Sequence, residues 1–204
     1  AGAAVAIERL AGQVALFLVL AAGALTVTLM PGGLTLPSWV MGLIGALLSV
    51  ALIAMLAIGG AGQLPGRAGT AARDLRGALR VTLLAPGALP RQVALNLAIT
   101  GANLAAFAFC AAATGTMMSP VETAVLVPLI LLTMILPLTV SGWGLREGAA
   151  AGLFPLIGAS AQAGLAASLA FGLMFLASTL PGLLVLLAQR RVNRPAPAAI
   201  QADP

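Results

Sequence analysis

The chain has 204 residues, of which 61% are apolar and 7% charged, with a mean hydropathy of +1.10 and a formal net charge of +5. Soluble domains carry about a quarter charged residues, so this inventory cannot build a water-exposed surface and the chain reads as a membrane protein. His, Lys and Tyr are absent and Cys110 is the single cysteine, which excludes His or Cys metal clusters, Ser–His nucleophile systems, Schiff-base lysines and internal disulfides.

Ionic chemistry is left to arginine and five acids, too little for intrinsic catalysis; no catalytic residue, metal site or cofactor is expected. The positive charge is clustered, which points to membrane topology and to anionic lipid head groups and away from nucleic acid. The first apolar run is too long for a signal-peptide core, so a start without Met reads as a truncated or processed end.

A spanning helix needs about 20 apolar residues. In chain order, four runs qualify: 11–30, 38–58, 93–113 and 161–188. Pro31-Gly32-Gly33 closes the first, and Trp39 opens the second as an interfacial anchor. The segment 59–91 carries Arg67, Arg73, Arg76, Arg80 and Arg91 against Asp74, whereas loops 31–37 and 114–119 have no charge. Positive charge stays inside, so loop 59–91 and the C-terminus, with Arg190, Arg191 and Arg194, are expected in the cytoplasm of a bacterial inner-membrane protein. Arg73, Arg76 and Arg80 share one helical face beside Leu75, Leu79 and Leu83, the pattern either of a helix in the head-group plane or of a solvated connector.

On the third run Gln92, Asn96, Thr100 and Asn103 form one narrow stripe. Polar side chains in lipid must find partners, so this stripe lines a polar path or bonds neighbouring helices. After it, Ser119-Pro120-Val121-Glu122 reads as a capping box that starts a helix.

Between 120 and 158 the apolar sequence is interrupted by Pro128, Pro137, Gly142, Gly144 and Pro155, so two uninterrupted spans are not expected. The fold class is therefore all-α: a polytopic transmembrane helical bundle with broken or re-entrant helices around 120–158. With the third run leaving outward and the last ending inward, the interrupted stretch must start and finish on the outer side. It makes either two short spans or a hairpin that dips in and returns, with 141–148 at the deep turn.

That turn holds an adjacent cation and anion, Arg146 and Glu147, among Gly142, Trp143, Gly144 and Gly148. A charge at the bilayer centre costs at least ~2.5–3.5 kcal/mol, so the pair requires a sheltered niche or a place at the membrane face. If Gly144 caps a helix, Glu147 sits at its third position, where an acid is favoured, but Arg146 is misplaced there. Unpaired N–H groups at the helix start then join Arg146 in an anion site; the competing reading is an Arg that snorkels to the cytoplasmic face. Adjacent helical residues point about 100° apart, so Arg146 and Glu147 are not expected to pair simply with each other. Gly164, Ser168 and Gly172 form a small-residue ridge on the last run, read as a packing device. Residues 1–194 are expected as one transmembrane domain and 195–204, rich in Pro and Ala, as a disordered tail.

The run Leu136-Pro137-Leu138-Thr139-Val140-Ser141-Gly142-Trp143-Gly144-Leu145-Arg146-Glu147-Gly148 resembles the signature of the lysylphosphatidylglycerol synthase transmembrane-region family of flippase-like proteins. Gly158-Ala159-Ser160 resembles the continuation of that signature, and Glu8-Arg9-Leu10-Ala11-Gly12 its helix opening. Thr139 stands where the family more often has Ser and Glu8 where it more often has Asp; the chain also looks shortened at its N-terminus relative to the family.

The resemblance implies translocation of an anionic, aminoacylated or polyprenyl-linked lipid across the membrane. On that reading Arg146, Glu147, Gly142, Gly144, Gly148, Ser141 and Thr139 hold the head group, and Gln92, Asn96, Thr100 and Asn103 line the route. The partners expected are membrane lipids with an anionic head group. A non-transporting membrane partner of a separately encoded lipid aminoacyl- or glycosyltransferase is the alternative, and a membrane-embedded transferase a further rival.

Overall fold

The computed structural model describes residues 2–29, 34–61, 69, 70, 73, 77, 88–135 and 142–192. They fold into helices α1 (Gly2–Leu29), α2 (Ser38–Ala61), α3 (Ala88–Ala113), α4 (Pro120–Leu132), α5 (Leu145–Leu153) and α6 (Ala161–Val192), with 3-10 turns at Thr133–Ile135 and Phe154–Ile157. Among the described residues there is no strand. The all-α membrane fold expected from composition is the one observed.

Among the described residues, four stretches are long and apolar enough to cross a membrane: Ala11–Leu29, Ser38–Ala57, Ala88–Ala113 and Ala161–Gly182. They coincide with the four expected runs, with longer helices around them. α1 begins at Gly2 and α6 continues to Val192. α3 starts at Ala88 and takes Pro90 and Arg91 into its first turn. That start is permitted because the first four N–H groups of a helix have no partner to lose.

The interrupted stretch forms two short helices. At 1.5 Å per residue α5 is about 14 Å long, and even α4 with its 3-10 extension reaches about 24 Å, short of the ~30 Å hydrocarbon layer. The capping box at the start of α4 is present as expected. The Ser119 N–H donates to Glu122 Oε2 at 2.6 Å, and the Glu122 N–H donates to Ser119 Oγ at 3.3 Å. Glu122 is a helix-start device.

α4 is the centre of the bundle. Val125, Leu126, Val127, Pro128, Leu129 and Ile130 are buried in succession, so the helix is covered on every face by α1, α3 and α5. α6 packs along α5 and α3. At that junction the rings of Phe107 and Phe154 lie 6.4 Å apart edge-on, and those of Phe107 and Phe171 5.4 Å apart. Lipid tails are as apolar as these side chains, so close packing and such ring contacts hold the helices together, at about 0.5–1.5 kcal/mol per aromatic pair.

α2 lies on α1 and turns Leu43, Val50, Leu52, Ile53, Met55 and Leu56 outward. So large an apolar exposure is stable only under lipid or protein. Residues 195–204, the arginines at 67, 76 and 80, and the leucines at 75, 79 and 83 lie outside the described residues; Arg73 is exposed.

Candidate functional site

The site is built where α5 begins. Gly142 and Gly144 have φ of 78° and 88°, left-handed values open to glycine without strain. Gly142 also lies against the end of the α4 unit: a Cβ there would sit 2.6 Å from Met134 Cγ. Gly142 thus packs directly against Met134.

Gly144 caps α5, leaving Arg146 and Glu147 as its second and third residues. Glycine has no side chain to bond the helix start, so half of a capping box is lacking; Glu147 supplies the other half by accepting from the Gly144 N–H through Oε2 at 2.6 Å. The helical role expected for Glu147 is present.

The expectation that Arg146 and Glu147 would not pair is wrong. Arg146 Nη2 donates to Glu147 Oε1 at 2.5 Å, and the two residues are only 3% and 5% exposed. The 100° offset applies where side chains leave the helix. Glu147 folds back over the helix end to reach Gly144, and the long arginine side chain curls round to meet it.

The guanidinium is anchored a second time, on α6. Arg146 Nε donates to Ser168 Oγ at 3.0 Å and Nη2 to the Ser168 carbonyl oxygen at 3.2 Å. The Ser168 hydroxyl donates to Glu147 Oε1 at 3.4 Å. Arg146 Cζ lies 5.5 Å from the ring centres of both Trp143 and Phe171, so aromatic faces supply further stabilisation of the charge. These contacts explain how a cation survives in the first turn of a helix.

The small ridge of α6 has more than the packing role read for it. A Cβ on Gly164 would collide with the Ala150 carbonyl oxygen, and one on Gly172 with Arg146 Nη2. Gly164 lets α5 approach, whereas Gly172 makes room for the guanidinium. Ser168, Gly172, Trp143 and Phe171 are the site residues that the sequence reading left out. The signal for Ser168 was present: a hydroxyl centred in a ridge that brings two helices into contact.

Gly148, unlike Gly142 and Gly144, has no positive φ, and open space lies where a Cβ would go. Thr139 and Ser141 lie outside the described residues.

The α3 stripe is partly turned inward: Thr100 is buried and Gln92, Asn96 and Asn103 are half-buried. Asn96 Nδ2 donates to the Gln92 carbonyl at 2.9 Å and Asn103 Nδ2 to that of Ile99 at 3.0 Å. Both amides thus bond their own helix. Among the described residues no hydrogen bond joins this stripe to the Arg146 cluster. Near its lower end, Gln13 Oε1 on α1 is buried without a hydrogen-bond partner among the described residues, and a Cβ on neighbouring Gly12 would lie 3.8 Å from Asn96 Oδ1. Among the described residues no group of three or more His, Cys, Asp or Glu side chains is placed to hold a metal ion.

No curated protein and no solved structure matches the chain. The family described as lysylphosphatidylglycerol synthase TM region matches residues 1–182, a span that takes in all four membrane-length helices and the whole Arg146 site. The chain belongs to the lysylphosphatidylglycerol synthase transmembrane-region family, a membrane-protein family associated with lipid.

Proposed function

We propose that this protein is a flippase-like lipid translocator of the bacterial inner membrane, with Arg146 as the group that engages a negative head group. The observation that carries the reading is the burial of this arginine beside an apolar span. Its anchor, Ser168, is seven residues into α6, about 10 Å along the helix at 1.5 Å per residue. Ionisable groups at such positions are costly and commonly mark transport paths.

The guanidinium has five N–H donors. Three are spent on Ser168 and Glu147, and among the described residues the two on Nη1 have no hydrogen-bond partner. Nη1 and the free N–H groups at the start of α5 form a donor set suited to phosphate or carboxylate oxygens. Glu147 offsets the charge of the guanidinium, so what Nη1 offers an anion is two directed N–H donors and not a net positive charge.

In this account the short helices α4 and α5 dip into the membrane and return, as broken helices do at transporter binding sites. Gly142 and Gly144 shape the turn. The stripe of Gln92, Asn96, Thr100 and Asn103 lines the route, residues 1–194 act as one transmembrane domain, and loop 59–91 faces the cytoplasm.

The test is leaflet exposure of a tracer anionic phospholipid in proteoliposomes, for the wild type and for the charge-neutral pair Arg146→Gln/Glu147→Gln. The paired change avoids leaving one charge alone. A hydrogen bond to a charged group is worth about 1.5–3 kcal/mol, so the variant should be slower by about tenfold to a hundredfold. An unchanged rate removes Arg146 from the mechanism. Absence of exchange in both proteins favours a non-transporting membrane partner of a lipid aminoacyl- or glycosyltransferase.

A further inference from the structure

Ser168 is the uncharged side chain that touches both members of the buried ion pair. Its Oγ accepts from Arg146 Nε at 3.0 Å and donates to Glu147 Oε1 at 3.4 Å, and the residue is fully buried. A hydroxyl can do both at once because it carries a donor and two acceptor sites. Its carbonyl oxygen adds a second grip on Arg146, at Nη2.

The two grips restrict different motions. Trp143 and Phe171, each 5.5 Å from Arg146 Cζ, limit tilting of the guanidinium. Nη2 is pinned by the Ser168 carbonyl and Glu147 Oε1, which leaves rotation about that nitrogen. The bond from Nε to Ser168 Oγ stops that rotation. It sets which way Nη1, with its two remaining donors, faces.

We propose that Ser168 is a positioning residue: its hydroxyl fixes the in-plane orientation of the Arg146 guanidinium so that Nη1 is presented to the anionic head group. The inference rests on the reading above, in which Arg146 engages an anionic lipid. Losing the hydroxyl leaves the charge, the ion pair and the main-chain grip in place, so it weakens the hold on the anion without abolishing the site.

The experiment measures initial exchange rate against the mole fraction of phosphatidylglycerol in phosphatidylcholine proteoliposomes. It compares the wild type, Ser168→Ala, Ser168→Thr, Arg146→Gln/Glu147→Gln, and Ser178→Ala as a hydroxyl removed elsewhere on α6, where it bonds the Phe175 carbonyl. Ser168→Ala should raise the half-saturating mole fraction by about tenfold to a hundredfold, the range for one hydrogen bond to a charged group, with the maximal rate within about twofold of wild type. Ser178→Ala should match wild type, and Ser168→Thr, which restores the hydroxyl, should move half-saturation back toward wild type.

A purely structural Ser168 would lower the maximal rate, through loss of folded protein, and leave half-saturation unmoved. That result, or no change at all, overturns this inference while the paired variant still loses exchange. If the paired variant exchanges lipid like the wild type, Arg146 leaves the mechanism and the role of Ser168 falls with it; if neither protein exchanges lipid, the translocator reading itself falls.

Discussion

Arg146 and Glu147 hold each other in a setting where either charge alone would be expensive. Removing one partner of a buried ion pair costs about 3–5 kcal/mol because the other is left uncompensated, whereas replacing both with groups of similar size can be nearly neutral. Glu147→Ala should therefore destabilise the protein by about 3 kcal/mol or more, part of it from the lost bond to the Gly144 N–H. Arg146→Gln/Glu147→Gln should recover more than half of that loss. Unfolding titrations of the two variants in detergent micelles measure the difference; equal stability of Glu147→Ala and wild type would mean that the pair is solvated. Sequence spacing could not foresee this pairing, since neighbours on a helix diverge and only the fold-back of Glu147 onto its cap closes the gap. It did foresee the cap itself, because a Gly three residues before a Glu is a local pattern that needs no tertiary contact.

The short helix α5 and the start of α6 form a hairpin held by glycines with different duties. At Gly164 a Cβ would strike the Ala150 backbone, which cannot yield without separating the helices. Gly164→Ala should cost about 1–3 kcal/mol of stability, the usual penalty for overpacking. At Gly172 the colliding atom is Arg146 Nη2, which is held by Glu147 and the Ser168 carbonyl, so an added methyl displaces the ion pair. Gly172→Ala should cost at least as much stability as Gly164→Ala and also impair lipid exchange. Gly148 lies inside a helix with open space around it, so Gly148→Ala should fold at least as well as wild type, alanine being the better helix former by about 1 kcal/mol. Thermal unfolding in detergent, paired with the exchange assay, separates the three; a Gly172→Ala protein that loses stability but keeps exchange would contradict the assignment. These roles were only partly legible beforehand. The ridge of Gly164, Ser168 and Gly172 announces close packing, but which neighbour fills each notch depends on how α5 docks, a tertiary fact that periodicity does not carry. The long spans were legible because 20 apolar residues are a local signal. Their ends drifted because polar first turns, such as the one containing Pro90 and Arg91, join a helix without adding to its hydrophobic run.

At the scale of the whole molecule, the bundle is an apolar body that shelters the Arg146–Glu147 ion pair between α5 and α6. The exposed apolar faces of α2, α1, α3 and α6 suit a lipid surround, and such bulk affinity says nothing of selectivity. On the proposed reading, selectivity for a negative head group comes from Arg146 and the start of α5. Trp143 stacks on that guanidinium, and the other tryptophan, Trp39, is at the exposed start of α2. Trp39→Phe leaves Trp143 as the single indole reporter beside the site. The measurement is its emission in phosphatidylcholine nanodiscs as phosphatidylglycerol replaces the neutral lipid. The account predicts a saturable change that disappears when Arg146→Gln/Glu147→Gln is added to the same background. An identical titration in both proteins, or no response in either, would contradict it.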